Sequence, residues 1–244
     1  MQIKNISTLF LLLAPLIAQK PIWPTDAGNS YSSNFGEYRD DHFHMGLDVR
    51  TNGTIGYKVF ASENGYISRI VTNYSGYGKA IYQKTTSGKT IVYAHLDKFS
   101  PIMERVLKLQ QSKNKKYSVS TNFSPNEFRL KQGDVIGLTG ETGYAFGPNL
   151  HFEVRDESDA ALDPLSNGYL TTDKITPIMH KIALIPLSKG ALINSSPLMQ
   201  TLPLFRDKNG VYLFADTVSV IGDFGLAINA IDKREGSKFK YQFH

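Results

Sequence analysis

Residues 147–156, with the sequence GPNLHFEVRD, place groups capable of chemistry in a regular pattern. Apolar residues alternate here with Asn149, His151 and Glu153. A period of two is typical of a β-strand with one apolar and one polar face. The polar face would then carry an amide, an imidazole and a carboxylate, which can bind a metal ion or transfer a proton. A single histidine on a strand is more often a hydrogen-bonded structural residue, so a functional interpretation needs further ligands at suitable spacing.

Such ligands occur in the stretch DHFHMGLDVR, residues 41–50, where His44 precedes Asp48 by four positions. Gly46 argues against a helix, and in an extended or bulged segment an even spacing puts both side chains on one side. With His151 they form a His-Asp-His set. This is the composition of an open zinc site, which has three nitrogen and oxygen ligands and a water in the fourth position. The helical H-E-x-x-H arrangement does not occur.

Other polar residues carry weaker indications. His42 could line the same groove, although a solvated loop position is the simpler expectation. Glu153 could orient a metal ligand from behind, or be an ordinary strand carboxylate. His180 and His244 are expected to be structural or exposed. Arg39 and Arg155 could contact a substrate carboxylate, although Arg is common at strand ends. The tyrosines between positions 74 and 82 are expected to pack in the core or on the sheet.

Composition and the N-terminus indicate an exported globular protein. The 244 residues are 41% hydrophobic and 20% charged, and the net charge of +5 comes from scattered Lys and Arg, so no nucleic-acid partner is expected. The absence of Cys excludes disulfides, thiolate zinc sites and a cysteine nucleophile. Lys4 and the apolar run at 6–18 predict a signal peptide at residues 1–18, with export to the periplasm or cell exterior. The alternative is an uncleaved N-terminal anchor; no transmembrane span is expected in the mature chain.

The order of strand and turn signals predicts a mainly antiparallel all-β domain over residues 30–165. Turn residues at 63–65 and 87–88 each predict a β-hairpin. An apolar stripe of Ile102, Val106, Leu107 and Leu109 predicts one peripheral helix at 101–116. Further strand signals predict a small C-terminal β module at 175–244, which could be incomplete because an immunoglobulin-like sandwich needs about seven strands.

Several motifs together resemble one known family, the lysostaphin-type or LytM-type zinc endopeptidases. They are FHMGLD (43–48), GYG (76–78), YAHL (93–96), QGDVIG (132–137), TGETG (139–143) and GPNLHFEVRD (147–156). The resemblance implies a compact antiparallel β fold with a groove across the sheet. It also implies a metallopeptidase domain at residues 22–165, a bound Zn²⁺ and cleavage of peptides in bacterial peptidoglycan.

The resemblance also implies roles for individual residues. His44, Asp48 and His151 match the three zinc ligands, and His95 in YAHL matches a histidine that assists catalysis beside the metal. The last motif of the family normally reads H-x-H, whereas this chain has Asn149 at the first of these positions. Asn149 is therefore expected at a catalytic position, where an amide can donate a hydrogen bond but cannot carry a proton near neutral pH.

Three functions follow as alternatives. The first is a secreted zinc endopeptidase that hydrolyses peptidoglycan peptides with a zinc-activated water, while His95 transfers the proton. The second is a hydrolytically weak or inactive LytM-type module that binds cell wall or regulates other wall hydrolases, which the substitution at Asn149 favours. The third is a metal-stabilised structural domain, which would not need His95. The C-terminal module could carry a protein partner.

Overall fold

The computed structural model describes residues 19–39, 41–171 and 175–233, and the backbone of 240–243. The predicted signal peptide at residues 1–18 and the C-terminal His244 lie outside the described residues. Within the described part, no helix has the length and apolar character needed to cross a membrane.

The described residues up to position 162 form twelve strands and one helix. In chain order these are β1 (Tyr31–Ser33), β2 (Leu47–Arg50), β3 (Lys58–Phe60), β4 (Gly65–Thr72), β5 (Lys79–Thr85), β6 (Thr90–Ala94), β7 (Leu96–Phe99), α1 (Pro101–Asn114), β8 (Val119–Asn122), β9 (Arg129–Leu130), β10 (Val135–Thr139), β11 (Asn149–Arg155) and β12 (Ala161–Leu162).

These strands form two antiparallel sheets. The larger sheet has nine strands in the order β1-β2-β11-β6-β5-β4-β8, with β12 also paired to β11 and β9 to β4. The smaller sheet has the order β3-β10-β7. The sheet pairings and the single helix confirm the predicted all-β, mainly antiparallel fold with one helix.

The hydrophobic core contains side chains from both sheets. Leu47 and Phe152 of the larger sheet and Val59 and Ile136 of the smaller sheet belong to one buried cluster. In β11 the apolar residues enter this core as the alternation predicts, but His151, Glu153 and Arg155 on the opposite face are buried as well. Buried polar groups need hydrogen-bond partners, so the second face of β11 must be a structured polar site.

One predicted hairpin is confirmed and the other is wrong. Strands β5 and β6 pair across the turn at 87–88. Strands β3 and β4 do not pair with each other, because β3 pairs with β10, while β4 pairs with β5, β8 and β9. The backbone N–H of Ala61 donates to the Asp134 carbonyl, which holds the connecting segment beside the later chain.

The predicted helix is present and slightly shorter than predicted. It begins at Pro101 and is followed by Lys115, whose left-handed φ of 51° ends the helical conformation. The buried side chains of the helix are Met103 and Leu107. Two members of the predicted apolar stripe, Ile102 and Leu109, are exposed instead.

The remaining described residues contain seven further strands. They are β13 (Ile178–Pro186), β14 (Leu192–Ile193), β15 (Gln200–Arg206), β16 (Tyr212–Phe214), β17 (Val220–Ile221), β18 (Phe224–Lys233) and β19 (Lys240–Phe243). Five of them form a sheet in the order β16-β15-β13-β18-β19, and β14 pairs with β17. Among the described residues, no sheet contains strands from both parts of the chain.

Candidate metal centre

Strand register brings Asp48 and His151 together. The two residues are directly opposite each other in the antiparallel pair of β2 and β11, so their side chains share one face. The distance from His151 Nδ1 to Asp48 Oδ1 is 2.9 Å. His44 lies in the segment before β2, and its Nε2 is 3.0 Å from His151 Nδ1 and 3.2 Å from Asp48 Oδ1. The three predicted ligands therefore converge on one point, with ligand atoms all within 4.8 Å of one another.

Hydrogen bonds at the far side of each imidazole determine which nitrogen faces this point. His44 Nδ1 is 2.6 Å from the carbonyl oxygen of Asn34, which can only accept, so Nδ1 carries a proton. His151 Nε2 is 2.7 Å from Glu153 Oε1 and donates to it in the same way. In the neutral rings, His44 Nε2 and His151 Nδ1 therefore present lone pairs toward each other and toward Asp48.

This donor set fits a zinc ion. Two lone pairs and a carboxylate oxygen directed at one point repel each other unless a cation or a proton lies between them. Imidazole nitrogen and carboxylate oxygen are preferred zinc ligands, and second hydrogen bonds that fix each imidazole are the usual companions of such ligands. The residues that could hold the metal are thus His44, Asp48 and His151, with Glu153 and the Asn34 carbonyl behind them.

The electrostatics of the three residues show how strongly the centre attracts positive charge. Burial opposes charge on Asp48, but hydrogen bonds from His151 and His44 outweigh it and hold the pKa of Asp48 well below its usual value. Burial likewise opposes charge on His151, yet Asp48 and Glu153 together raise its pKa to about 9. A proton therefore occupies the centre near neutral pH when no metal is bound.

Arg39 and Arg155, the two arginines considered as substrate contacts, pair with carboxylates of the protein. Arg39 donates to Asp48 Oδ2 at 2.8 Å, which leaves Asp48 Oδ1 for the metal position. Arg155 contacts Glu153 and Asp159. Both arginines therefore form ion pairs within the chain.

His95 reaches the centre through an unusual backbone conformation. It follows the last residue of β6, Ala94, which pairs with His151, so a regular strand would direct the next side chain to the opposite, apolar face. His95 instead has a φ of 59°, and its ring centroid is 5.7 Å from that of His151. A non-glycine residue with positive φ is strained, and such strain is concentrated at functional sites. The kink therefore places a third imidazole beside the metal position.

The tautomer of His95 is also set by a backbone carbonyl. Its Nδ1 is 2.8 Å from the Thr142 oxygen, so Nδ1 carries the proton and Nε2 presents a lone pair. Burial and the nearby His151 lower the pKa of His95 from its ordinary value. A neutral imidazole with a free nitrogen is suited to accept a proton.

Two glycine loops position the Thr142 carbonyl. Gly78 and Gly143 both have positive φ, 61° and 76°, and their backbones touch. A Cβ at Gly143 would lie 2.3 Å from Gly78 N, and one at Gly78 would lie 2.3 Å from the carbonyl carbon of Thr142. Only glycine allows this approach, which explains the spacing of the GYG and TGETG motifs.

Asn149 lines the same cleft as the three ligands, as the alternation predicts. Its hydrogen bonds differ from those expected of an amide that is free to donate to a substrate. The side-chain Nδ2 donates to the Gly147 carbonyl at 3.0 Å, while Oδ1 is buried and has no partner in the described part of the chain. One amide hydrogen therefore anchors the loop before β11, which leaves only the other for an oxyanion.

The cleft over the centre has a volume of about 690 Å³ and an aromatic rim. Tyr38 and Met45 line one part of it, and Tyr144 and Phe146 contribute exposed rings from the glycine loop. His42 lines the cleft and pairs with Asp41 in an exposed position, as a solvated loop histidine does. His180 is exposed on β13 and is not among the cleft residues.

The sequence predicts core or sheet packing for Tyr77 and leaves two alternatives for Glu153, a group that orients a metal ligand or an ordinary strand carboxylate. In the structure, Tyr77 lines the cleft and its hydroxyl donates to Glu153 Oε1 at 2.6 Å. The position of Tyr77 between the two glycines of GYG is the signal that could have drawn attention to it. Glu153 contacts His151 on the side of the ring that faces away from the metal position, as expected for a group that orients a metal ligand.

Comparisons with known proteins agree with this description. No protein-family model matches the chain. Over 113 residues, 46% of this chain, the sequence is 31% identical to the DD-carboxypeptidase/endopeptidase Mpg of Neisseria meningitidis serogroup B. The match to the protein of that name from Neisseria gonorrhoeae has the same extent and identity. This matched stretch represents 20% of the length of each relative.

Solved structures of peptidases are also similar. LytU is 27% identical, with 57% of this chain and 83% of that chain covered and a TM-score of 0.41. The catalytic domain of lysostaphin from Staphylococcus simulans is 24% identical, with 56% and 87% covered and a TM-score of 0.38. The 31% identity to endopeptidases, added to the order of the motifs, confirms that the chain resembles the lysostaphin-type, or LytM-type, peptidases.

Proposed function

We propose that this chain is an exported zinc-dependent endopeptidase that hydrolyses peptide bonds of bacterial peptidoglycan. The observation that carries the proposal is the convergence of His44 Nε2, Asp48 Oδ1 and His151 Nδ1, with the outer nitrogen of each imidazole already engaged. The Neisseria relatives are DD-carboxypeptidase/endopeptidases by name, which supports the peptide class of substrate.

The residues of the centre have three roles in this proposal: metal binding, proton transfer and stabilisation of the oxyanion. Zinc, when bound by His44, Asp48 and His151, supplies a Lewis acid that lowers the pKa of a water ligand to about 7 and polarises a carbonyl. His95 Nε2 accepts a proton from the attacking water and returns it to the leaving amine. Asn149 uses its remaining amide hydrogen to stabilise the developing oxyanion.

The organisation predicted from the sequence completes the proposal. Residues 1–18 act as the export signal, 22–165 form the metallopeptidase domain, and 175–244 form a β module that offers a surface for a protein partner. The separate sheets of the two parts are compatible with this division.

A second candidate function rests on Asn149. A LytM-type module with weak or no hydrolysis would bind cell wall or regulate other wall hydrolases. The absence of an imidazole at this position and the bond from Asn149 Nδ2 to the Gly147 carbonyl both favour it, because the amide cannot take over proton transfer.

The test is zinc content and digestion of purified peptidoglycan by the same protein preparations. The wild type should bind one zinc per chain and release soluble peptides, and a chelator should abolish the release. His44→Ala should lose both properties. His180→Ala removes an exposed histidine outside the cleft and should retain both. Zinc binding without cleavage on several wall types would support the second candidate, and digestion that persists in chelator would exclude the zinc mechanism.

A further inference from the structure

A buried polar network lies behind His151. The Glu153 side chain is fully buried, with 0% exposure. Its Oε1 accepts from His151 Nε2 at 2.7 Å and from the Tyr77 hydroxyl at 2.6 Å. Its Oε2 accepts from Arg155, with both Nε and Nη2 at 2.7 Å. Arg155 also donates to the Tyr77 hydroxyl at 3.1 Å and to Asp159 at 3.0 Å. Both carboxylate oxygens of Glu153 are thus satisfied by fixed donors.

Tyr77 connects this network to the other half of the centre. Its backbone carbonyl accepts from the backbone N–H of His95 at 3.0 Å, next to the positive-φ kink. Its ring packs on the His151 ring, with centroids 5.5 Å apart and planes inclined by 31°. One residue therefore contacts the backbone that positions His95, the ring of His151 and the carboxylate that holds that ring.

We propose that Tyr77 is a positioning residue that, through Glu153 and Arg155, fixes His151 in the orientation that presents Nδ1 to the metal. The inference rests on the metal site of the proposed function and deepens it. Its consequence is that zinc affinity depends on the Tyr77 hydroxyl, although that hydroxyl is not directed at the metal position.

The physical reason lies in the behaviour of buried carboxylates. A fully buried carboxylate is held in place only while its donors are complete, because no water replaces a missing one. Loss of the Tyr77 hydroxyl would remove one of the two donors on Glu153 Oε1 and allow the carboxylate to turn toward Arg155. His151 Nε2 would then lose its acceptor, and the ring would no longer be restricted to one tautomer and orientation.

The simpler alternative is that Glu153 and Arg155 form a structural ion pair that only stabilises the fold. The two interpretations differ in what a conservative change does. A structural pair predicts that Tyr77→Phe lowers the melting temperature and leaves zinc affinity unchanged. A positioning role predicts a loss of zinc affinity beyond any loss of stability.

The experiment measures the zinc dissociation constant of the full chain by competition with a chromogenic chelator, together with the melting temperature. Tyr77→Phe should weaken zinc binding about 10–100-fold, the usual effect of removing a group that supports a metal ligand. The matched control is Tyr82→Phe, since Tyr82 belongs to the same packed cluster but its ring lies against Arg69. The control should stay within about 2-fold of wild type. Equal affinities of Tyr77→Phe and wild type would overturn the inference.

A second measurement covers the case in which Tyr77→Phe does not fold. Long-range ¹H–¹⁵N spectra of the zinc-loaded wild type should show His151 with zinc at Nδ1 and a proton at Nε2, and Glu153→Gln should bind zinc about 10–100-fold more weakly. Zinc at Nε2 of His151, or full affinity in Glu153→Gln, would overturn the inference. Zinc uptake by the wild type without peptide cleavage would refute the proposed hydrolysis alone, whereas no zinc uptake would refute the metal site itself.

Discussion

Asp48 and His151 occupy opposed positions of the antiparallel pair β2–β11, with Asp48 Oδ1 2.9 Å from His151 Nδ1. Neighbouring strands hold opposed side chains at a nearly fixed separation, so two of the three candidate ligands need no flexible loop to meet. His44 lies in the segment before β2, outside this strand pair. Its ring is held by the hydrogen bond from Nδ1 to the Asn34 carbonyl. Strand pairing and one backbone hydrogen bond therefore position all three candidate ligands.

This relationship predicts that zinc displaces a proton. Asp48 and Glu153 raise the pKa of His151 to about 9 against the opposing effect of burial, so its proton stays bound at lower pH and must leave before Nδ1 can bind zinc. Zinc affinity should consequently rise with pH up to about 9, with about one proton released per zinc at neutral pH. Calorimetric titration in buffers of different ionisation enthalpy measures this number. Affinity that stays constant between about pH 6 and pH 8 would contradict the prediction.

His95→Ala should be the most damaging change that leaves the metal in place. We expect kcat to fall by ~10²–10⁴ because no second imidazole is available for proton transfer, while zinc content stays at one per chain. His180→Ala serves as the control. Turnover of His95→Ala within a few-fold of wild type would show that proton transfer does not depend on this residue.

The pH profile of the wild type should reflect the lowered pKa of His95. Because burial and His151 disfavour its charged form, His95 becomes protonated only below its ordinary value of 6.5. Activity should therefore persist in mildly acidic solution, and the acidic limb of kcat should have its midpoint below pH 6.5 as long as zinc remains bound. Parallel zinc analysis at each pH separates loss of the base from loss of metal. An acidic limb above pH 6.5 at full zinc occupancy would contradict the assignment.

Substitutions at Asn149 separate the two candidate functions. Asn149→Ala should lower kcat by about tenfold, the value of one hydrogen bond to the reacting group, with little change in zinc affinity. Asn149→His should keep or raise turnover. The measurements are zinc content and turnover on purified peptidoglycan. If the wild type cleaves nothing and the Asn149→His variant cleaves peptidoglycan, the binding module would be supported and the endopeptidase function contradicted.

Gly143→Ala should impair catalysis without removing zinc. A Cβ there would lie 2.3 Å from Gly78 N, so the loop that carries the Thr142 carbonyl must shift, and His95 with it. Misplacement by about 1 Å can cost ~10² in rate. Gly133→Ala is the matched control, because Gly133 also has positive φ, 90°, but no atom within 4 Å of an added Cβ. Equal loss of activity in both variants would show that backbone strain at positive φ, and not the displaced loop, causes the effect.

Limited proteolysis tests the proposed division of the chain. Cleavage after Tyr169 and before β13 should release a fragment that retains zinc, since Tyr169 is buried in the core of the first part and the described sheets of the two parts share no strand. Mass spectrometry of the fragments and their zinc content provide the measurement. Failure to obtain any intact N-terminal fragment would argue for a single folding unit.

Local pattern was sufficient for part of the molecule. The alternation around His151 predicted a strand with three polar groups on one face, and the spacing of His44 and Asp48 predicted side chains on a common side. The structure brings these three residues together. Such predictions succeed because period and spacing depend on neighbouring residues alone.

Strand partners were harder to predict. The turn residues at 63–65 suggested a hairpin, but β3 pairs with β10, more than seventy positions later. A turn signal shows that the chain can reverse, not which strand will complete the sheet, because sheet pairing is decided by burial of the whole apolar face.

The sequence by itself determined the chemical types at the centre: two imidazoles and a carboxylate at metal-ligand spacing, a third imidazole in YAHL and an amide at position 149. Only the tertiary structure decided their roles in space. The positive φ of His95 turns its ring from the apolar face toward His151, and Tyr77 reaches across strands to Glu153. Both depend on contacts between residues far apart in the chain, where close packing and the need to satisfy buried polar groups override the local period of the strand.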